Sequence, residues 1–285
     1  MGTLEAFILG IVQGLTEFLP VSSSGHLQIG QHILGTTETG GLTFDIVVHV
    51  ATVFATIVIF RKQIWDLICG FFKKINPDNS LPFWRRLNEA QRYVILIVIS
   101  MIPIGIVGLC FKDKVEEIFS SSITVVGVCL IVTSILLALT HYIKPQEGKE
   151  KQEISPLHAF IIGLAQSVAV LPGLSRSGST ISTGLVLGNK RESVAQFSFL
   201  MVIPPILGEA LLDFKHIFAP SAEYLAQHGG EMVQIPTLAL IIGFVAAFVS
   251  GCIACKWMVQ LIKKCKLIYF AIYCFVMGCV CIAFL

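Results

Sequence analysis

Charged side chains are scarce in this sequence of 285 residues, because Asp, Glu, Lys and Arg together make up only 13% of it. Soluble domains usually carry about 25% of such residues. Here 55% of the residues are hydrophobic and the mean hydropathy is +0.82. These values exclude an ordinary soluble domain and indicate a membrane protein with several spans. The formal net charge of +2 is too small for a nucleic-acid-binding surface, so we expect no nucleic-acid partner.

The nine cysteines lack the spacing that disulfide or metal chemistry requires. Most of them lie in apolar runs, where Cys behaves as a small hydrophobic residue. The pair Cys252 and Cys255 has no second ligand pair, so we expect neither a zinc site nor a redox motif. The N-terminus carries Glu5 and no basic residue before an apolar run, so no cleavable signal peptide is predicted.

Six apolar segments are long enough to cross a hydrocarbon core, which takes about 20 helical residues. They are residues 42–60, 91–111, 121–143, 193–214, 236–255 and 267–285. Cytoplasmic loops carry an excess of Lys and Arg. That rule predicts cytoplasmic loops at 61–92, 144–153, 190–191 and 256–266, and external loops at 112–117 and 215–234.

Two stretches of the sequence, 4–27 and 157–180, repeat each other. Leu4, Ala6, Phe7, Ile8, Gly10 and Gln13 fall on Leu157, Ala159, Phe160, Ile161, Gly163 and Gln166 at one constant offset. Leu-Pro and Ser-Gly then recur after single-residue slips. A repeat of this kind indicates two related halves.

The charge pattern gives the two halves opposite orientations. Residues 157–187 leave the cytoplasmic side and return to it, and residues 4–34 start and finish outside, so each is predicted to be a re-entrant hairpin. The predicted fold is an all-α polytopic membrane protein, one domain over 1–285 with two inverted-topology repeats. Repeat one is 1–143 and repeat two is 157–285, each a re-entrant helical hairpin plus three transmembrane helices. The polar breaks of the hairpins are expected to face each other near the midplane, since irregular backbone at that depth must be buried in protein or beside water.

Both breaks are rich in hydroxyl groups and glycine, and each precedes a helix. Helix N-termini bind anions, so two opposed termini with Arg176 between them would form a phosphate cradle. The candidate phosphate-binding residues are Ser22, Ser24, Gly25, Ser175, Ser177, Gly178 and Thr180. Helix capping is the alternative role for Ser22 and Ser179. A structural salt bridge is the alternative for Arg176, which must be paired at membrane depth.

Gln13 and Glu17 lie one turn apart on the same face of a predicted helix. Their oxygens suit a divalent cation, Mg²⁺ with Ca²⁺ as an alternative, and Glu17 also suits the role of a base. The structural alternatives are a buried pair of Glu17 with Arg176 and a helix–helix hydrogen bond for Gln13. His26 follows three serines and is a candidate nucleophile or proton donor, or an interfacial or hydrogen-bonded residue. Asp45 either supports the site or caps a helix.

The two motifs together resemble those of the bacterial undecaprenyl-diphosphate phosphatase family, the bacitracin-resistance type, over essentially the whole chain. Its first motif is matched by Gln13, Glu17, Ser22, Ser23, Gly25 and His26, and its second by Pro172, Gly173, Ser175, Arg176, Ser177 and Thr180. Many members carry Glu where Gln13 stands here. The resemblance implies hydrolysis of undecaprenyl diphosphate to undecaprenyl phosphate and inorganic phosphate, with dependence on a divalent metal.

On this hypothesis the catalytic residues are Glu17, His26, Ser23 and Arg176, and the metal ligands are Glu17 and Gln13. The nucleophile stays open between water, His26 and Ser23. The expected partners are a polyprenyl diphosphate lipid and membrane lipids, and a homodimer also stays open. We expect a bacterial plasma (inner) membrane location, with the active site facing the external or periplasmic side.

Three other functions fit parts of the pattern. A secondary transporter or flippase of a lipid-linked phosphate would also have inverted repeats and broken helices. The other class of integral-membrane lipid phosphatase needs a downstream His paired with Asp, and no His lies between Arg176 and His216. A purely structural membrane protein would not be expected to place two polar hairpins at membrane depth.

Overall fold

The computed structural model describes residues 1–78, 80–111, 123–142, 153–218, 235–264 and 267–285, and these residues form helices and no β-strand. The helices are α1 (Thr3–Phe18), α2 (Ser23–Ile33), α3 (Thr37–Ile59), α4 (Arg61–Phe71), α5 (Phe83–Arg86), α6 (Glu89–Cys110), α7 (Ile123–Tyr142), α8 (Pro156–Val168), α9 (Arg176–Val186), α10 (Arg191–Met201), α11 (Ile203–Phe218), α12 (Thr237–Lys264) and α13 (Ile268–Phe284). The prediction of an all-α membrane protein is confirmed. Most residues of the predicted loops at 112–117, 144–153 and 215–234 lie outside the described ranges.

Three described helices are long and apolar enough to cross a membrane, namely α6, α7 and α12. They correspond to the segments predicted at 91–111, 121–143 and 236–255. The segment predicted at 42–60 lies in α3, which meets α4 at a bend of 76°, and this pair makes a fourth candidate if it is one span. The segment predicted at 267–285 is α13, an apolar helix of 17 residues.

The segment predicted to span at 193–214 is not one continuous helix. This segment is divided between α10 and α11, with Val202 between them. Pro204 and Pro205 explain the break, because proline lacks the backbone N–H and its ring clashes with the carbonyl group four residues earlier. An uninterrupted helix through Met201 would bring its carbonyl against Pro205.

Two pairs of short helices occupy the segments predicted as hairpins. In the first pair α2 folds back along α1, so that a Cβ atom added to Gly30 would lie 2.9 Å from Leu9. In the second pair, His158 at the start of α8 bonds across to Asn189 just after α9, with 3.0 Å between Nδ1 and Oδ1. Ser155 starts α8 as its N-cap by accepting a hydrogen bond from the His158 N–H at 3.2 Å.

Each helix pair packs against a long helix from the other half of the sequence. Helix α1 packs on α12, where a Cβ atom on Gly10 would lie 3.0 Å from that of Ala246. Helix α8 packs on α6, where a Cβ atom on Gly163 would lie 2.8 Å from the Cα of Ser100. Helices α7 and α13 also pack closely on one another. These contacts interleave the two halves around the polar helix breaks.

Candidate active site

The breaks in the two helix pairs touch each other. Ser177, in the first turn of α9, donates a hydrogen bond to the backbone carbonyl of Leu19, which lies between α1 and α2, at 3.0 Å. Gly25 and Gly173 also meet, because a Cβ atom on Gly25 would lie 2.9 Å from the Cα of Gly173. The polar residues of both sequence motifs therefore share one region of the molecule.

Glu17 contacts residues of both sequence motifs. One carboxylate oxygen, Oε1, forms an ion pair with Nη2 of Arg176. The other oxygen, Oε2, accepts hydrogen bonds from Gln13 Nε2 at 2.8 Å and from Ser23 Oγ at 2.7 Å. The Glu17 side chain is 4% exposed, so these donors compensate for the loss of water around its charge.

The ion pair brings together the two charged residues that the sequence singled out. The structural alternative considered for Glu17, a buried pair with Arg176, is therefore present. The same pair also places both residues at the candidate site. The Arg176 side chain keeps 25% of its surface exposed. A guanidinium group that is partly accessible beside a buried carboxylate can receive an anion.

The first break is held by Ser22 and His26. Ser22 has a φ of 70°, a left-handed conformation that costs energy in a residue other than glycine. Its hydroxyl caps α2 by accepting from the Gly25 N–H at 3.3 Å and lies 3.4 Å from the Ser24 hydroxyl. The capping role considered for Ser22 is therefore present.

His26 has both ring nitrogens engaged. Nδ1 donates to the Ser22 carbonyl at 2.8 Å, so in the neutral ring Nε2 accepts from the Tyr273 hydroxyl at 2.7 Å. The two rings stack with centroids 5.6 Å apart. Tyr273 lies on α13, 247 residues away in sequence, and no motif in the sequence pointed to it.

The second break is anchored by Thr133 of α7. The Thr133 hydroxyl donates to the Gly173 carbonyl at 3.2 Å and accepts from the Ser175 N–H at 2.9 Å. Ser175 caps α9 by accepting from the Gly178 N–H at 3.1 Å, and its hydroxyl lies 3.3 Å from that of Ser177. Both sides of the break are thereby fixed to a long helix.

Thr180 is fully buried one turn into α9. Its hydroxyl donates to the Arg176 backbone carbonyl at 2.9 Å and lies 2.5 Å from the Ser198 hydroxyl. The predicted phosphate ligand is therefore engaged with its own helix and with α10. In this arrangement it orients the turn that carries Arg176.

His49 is a site residue that sequence reasoning missed. Its Nε2 lies 3.9 Å from Glu17 Oε2, and its Nδ1 donates to the Asp45 carbonyl at 2.7 Å. A histidine inside a predicted span was the available signal, since ionisable residues at membrane depth mark functional sites. Asp45 lies within α3 and accepts from Gln31 at 2.7 Å, so the helix-capping alternative for Asp45 is wrong.

A small cleft opens beside Glu17 and Arg176. Helices α3, α10 and α11 contribute most of its remaining lining. The polar residues are Glu17, Thr52, Thr56, Arg176, Ser177 and Ser198, and the apolar ones are Phe18, Val53, Phe199, Val202 and Ile206. The cleft thus combines a charged end with apolar walls, which suits an amphipathic anion.

These helices and this buried charged cluster define a multi-pass helical membrane protein with an internal polar site. The chain belongs to the family described as bacitracin resistance protein BacA, which it matches over residues 6–280. It is 56% identical over 285 residues to a protein of Parabacteroides distasonis named undecaprenyl-diphosphatase, with 99% of this chain and 98% of that relative covered.

Two further relatives carry the same name. The protein of Bacteroides fragilis is 56% identical over 284 residues, with 99% of this chain and 98% of the relative covered. The protein of Methanobrevibacter smithii is 38% identical over 280 residues, with 98% and 96% covered. The similarity therefore extends over the whole chain, including both helix breaks.

Proposed function

We propose that this chain hydrolyses undecaprenyl diphosphate to undecaprenyl phosphate and inorganic phosphate, which returns the lipid carrier to cell-wall synthesis. One observation carries the proposal: Glu17 and Arg176, from two different helix pairs, meet at the charged end of a cleft with apolar walls. A diphosphate on a prenyl chain has the same two chemical parts. The name shared by relatives that are 56% identical supports this choice of substrate.

Arg176 binds the diphosphate in this mechanism. Its guanidinium group is planar and can donate two parallel hydrogen bonds to phosphate oxygens. It starts α9, whose N-terminus adds a favourable dipole for an anion. Binding of phosphate loosens the ion pair with Glu17, so the substrate itself frees the carboxylate for its catalytic role.

Ser23 is the nucleophile that the geometry supports best. Its hydroxyl already donates to Glu17 Oε2 at 2.7 Å, the arrangement of a nucleophile and its general base. Ser23 Oγ attacks the terminal phosphorus and its proton passes to Glu17, while the bridging P–O bond breaks and undecaprenyl phosphate leaves. Water then hydrolyses the phosphoserine and releases inorganic phosphate. Trapping phosphate on the protein distinguishes this route from direct attack by water.

His26 has a positioning role in this proposal. Its Nδ1 donates a hydrogen bond to the Ser22 carbonyl, and its Nε2 accepts one from the Tyr273 hydroxyl. His26 thereby fixes the backbone immediately before Ser23. This role differs from the nucleophile or proton donor that the sequence favoured.

A divalent cation, Mg²⁺ or Ca²⁺, is proposed at Glu17 and Gln13. The residues fit such an ion, because Gln13 is fully buried and its Oε1 has no hydrogen-bond partner. The Gln13 amide adjoins the Glu17 carboxylate through Nε2, and a half-turn of the amide would bring its unpaired oxygen there as a cation ligand. The described residues contain no group of three His, Cys, Asp or Glu that could hold a metal, so amide and substrate oxygens would have to supply the remaining ligands. When bound, the ion neutralises charge on the transferring phosphoryl group.

The inverted-repeat architecture, with repeats 1–143 and 157–285, is part of the proposal. Its support is the exchange of packing partners, in which α1 contacts α12 and α8 contacts α6. Gly127 and Gly278 add to it, because a Cβ on either would lie 2.9 or 2.7 Å from the carbonyl oxygen of the other. Such mutual contact is expected at a pseudo-twofold axis.

The second helix pair is proposed to be re-entrant from the cytoplasmic face of a bacterial plasma membrane. The His158–Asn189 contact keeps its start and finish together, and Arg92 Nη1 lies 3.4 Å from Glu153 Oε2. Residues of two predicted cytoplasmic loops, 61–92 and 144–153, therefore meet, and Asn189, next to the predicted loop at 190–191, lies beside the start of the second helix pair. By the same inversion, the first helix pair, with Glu17 and His26, opens externally.

The hydrolysis is tested with purified protein in detergent, by measuring phosphate release and the prenyl monophosphate from undecaprenyl diphosphate. Wild-type protein is expected to release both products, and Glu17→Gln to lose at least about 100-fold in rate. Glu5→Gln, a change at a half-buried position in the first turn of α1 where an amide oxygen can still accept from the Gly2 N–H, is the matched control and should match wild type. Movement of the lipid between the leaflets of vesicles containing the purified protein, without phosphate release, would overturn the proposal in favour of transport.

A further inference from the structure

We infer that His49 is a third protein ligand of the cation site and gives it a preference for nitrogen-binding divalent metals such as Zn²⁺ over Ca²⁺. The inference deepens the proposed function, because it concerns the cation placed at Glu17 and Gln13. It rests on three features of the structure: the orientation of the His49 ring, its distance from Glu17, and the unpaired oxygen of Gln13.

The His49 ring presents a nitrogen lone pair towards Glu17. A carbonyl oxygen only accepts, so the 2.7 Å contact with the Asp45 carbonyl places the proton on Nδ1. In the neutral ring Nε2 is then unprotonated, and Nε2 is the atom that lies nearest the carboxylate. Metal-binding histidines almost always donate their other ring N–H to a carbonyl or carboxylate in this way.

The distance between the two side chains fits one shared ion. Ligands that each lie about 2.1 Å from a metal are at most about 4.2 Å apart. His49 Nε2 and Glu17 Oε2 are 3.9 Å apart. Arg176 pairs with the other carboxylate oxygen, Oε1, so an ion at Oε2 does not require that pair to break.

Gln13 can bind a cation through its amide oxygen without giving up a hydrogen bond, because that oxygen makes none. Its Nε2 donates to Glu17 Oε2 at 2.8 Å, whereas its Oε1 is buried and has no partner. Rotating the amide by half a turn exchanges the two atoms and directs Oε1 to the carboxylate. A cation beside Oε2 favours that rotation, because its bond to the amide oxygen replaces the N–H donor and offsets the cost of leaving the NH2 group in the buried position that offers no partner.

The resulting donor set has a carboxylate oxygen, an amide oxygen and an imidazole nitrogen. Imidazole suits Zn²⁺ and other late transition metals, whereas Ca²⁺ takes oxygen ligands almost exclusively. His49 is therefore expected to shift the selectivity of the site. The alternative is a simple ion pair between protonated His49 and Glu17, and it predicts no metal–nitrogen bond.

The test is pulsed electron paramagnetic resonance of Mn²⁺ bound to the purified full-length protein. Modulation from imidazole ¹⁴N is expected in wild type and in His32→Gln, a control at an exposed position at the end of α2. It should disappear in His49→Gln. Displacement of Mn²⁺ by Zn²⁺ relative to Ca²⁺ should weaken in that variant by at least about tenfold, since even residues behind the metal ligands contribute 10–100-fold.

Absence of ¹⁴N modulation in wild type would overturn the inference. This outcome is measured on the wild-type protein, so it does not depend on whether a variant folds. Modulation that survives in His49→Gln, or that is lost in His26→Gln instead, would overturn it as well. Phosphate release measured on the same samples separates the two proposals. Hydrolysis without ¹⁴N modulation removes the role of His49 alone, whereas the modulation without hydrolysis removes the proposed reaction alone.

Discussion

Replacing Arg176 with Gln is expected to destabilise the protein by about 3 kcal/mol, because Glu17 would remain buried without its cationic partner. Removal of one member of a buried ion pair costs about 3–5 kcal/mol. The lower end applies because Glu17 keeps two neutral donors and Arg176 is 25% exposed. In a chain of 285 residues such a loss lowers the melting temperature by about 5 °C.

The double variant Glu17→Gln/Arg176→Gln removes both charges and is expected to recover most of the lost stability. Neither variant should hydrolyse the substrate, so stability and activity separate. Thermal unfolding in detergent, followed by tryptophan fluorescence, measures the first quantity, and phosphate release measures the second. Arg92→Gln is the matched control, because its partner Glu153 has a side chain that is 72% exposed and the pair should contribute less than about 1 kcal/mol. A double variant as unstable as the sum of its single changes would refute the reasoning.

Three further changes test the supporting structure. Gly14→Val should destabilise the protein by about 3 kcal/mol, because a Cβ atom at this position meets the backbone of α12. Gly105→Val is the control, because a Cβ atom there meets nothing within 4 Å, and it should lower the melting temperature far less. Thr133→Val removes both anchors of the second break and should cost about 1–3 kcal/mol by thermal unfolding; an unchanged melting temperature would contradict that role. Tyr273→Phe keeps the ring against His26 but removes the hydroxyl that helps to position it, so kcat should fall about tenfold with little change in KM. A kcat equal to wild type would exclude this positioning role of Tyr273.

Local sequence patterns predicted the two helix pairs well. The segments expected at 4–34 and 157–187 contain α1 with α2 and α8 with α9. Apolar patterns, helix caps and glycine-rich breaks determine the backbone over only a few residues. They can therefore be recognised in the sequence without knowledge of the tertiary fold. Hydropathy alone did not reveal the helix break within 193–214, which is a local effect of Pro204 and Pro205.

The long-range contacts of the site could not be predicted in the same way. Thr133 and Tyr273 were simply parts of apolar segments in the sequence, and only packing brings them to the breaks. The role of Ser22 as a helix cap is a short-range feature and was anticipated as an alternative. The orientation of His26 was not, because it depends on α13.

The central claim is that one site, shared by the two helix breaks, holds the diphosphate through Arg176 and acts on it through Glu17. Equilibrium binding of a prenyl diphosphate analogue with a non-hydrolysable methylene bridge, measured with a chelator present, tests it most directly. Arg176→Gln is expected to bind at least about tenfold more weakly than wild type, since hydrogen bonds between charged groups contribute about 1.5–3 kcal/mol. Glu17→Gln should bind at least as tightly as wild type, because no carboxylate then competes for Arg176. Unchanged binding in Arg176→Gln, or lost binding in Glu17→Gln alone, would contradict the account.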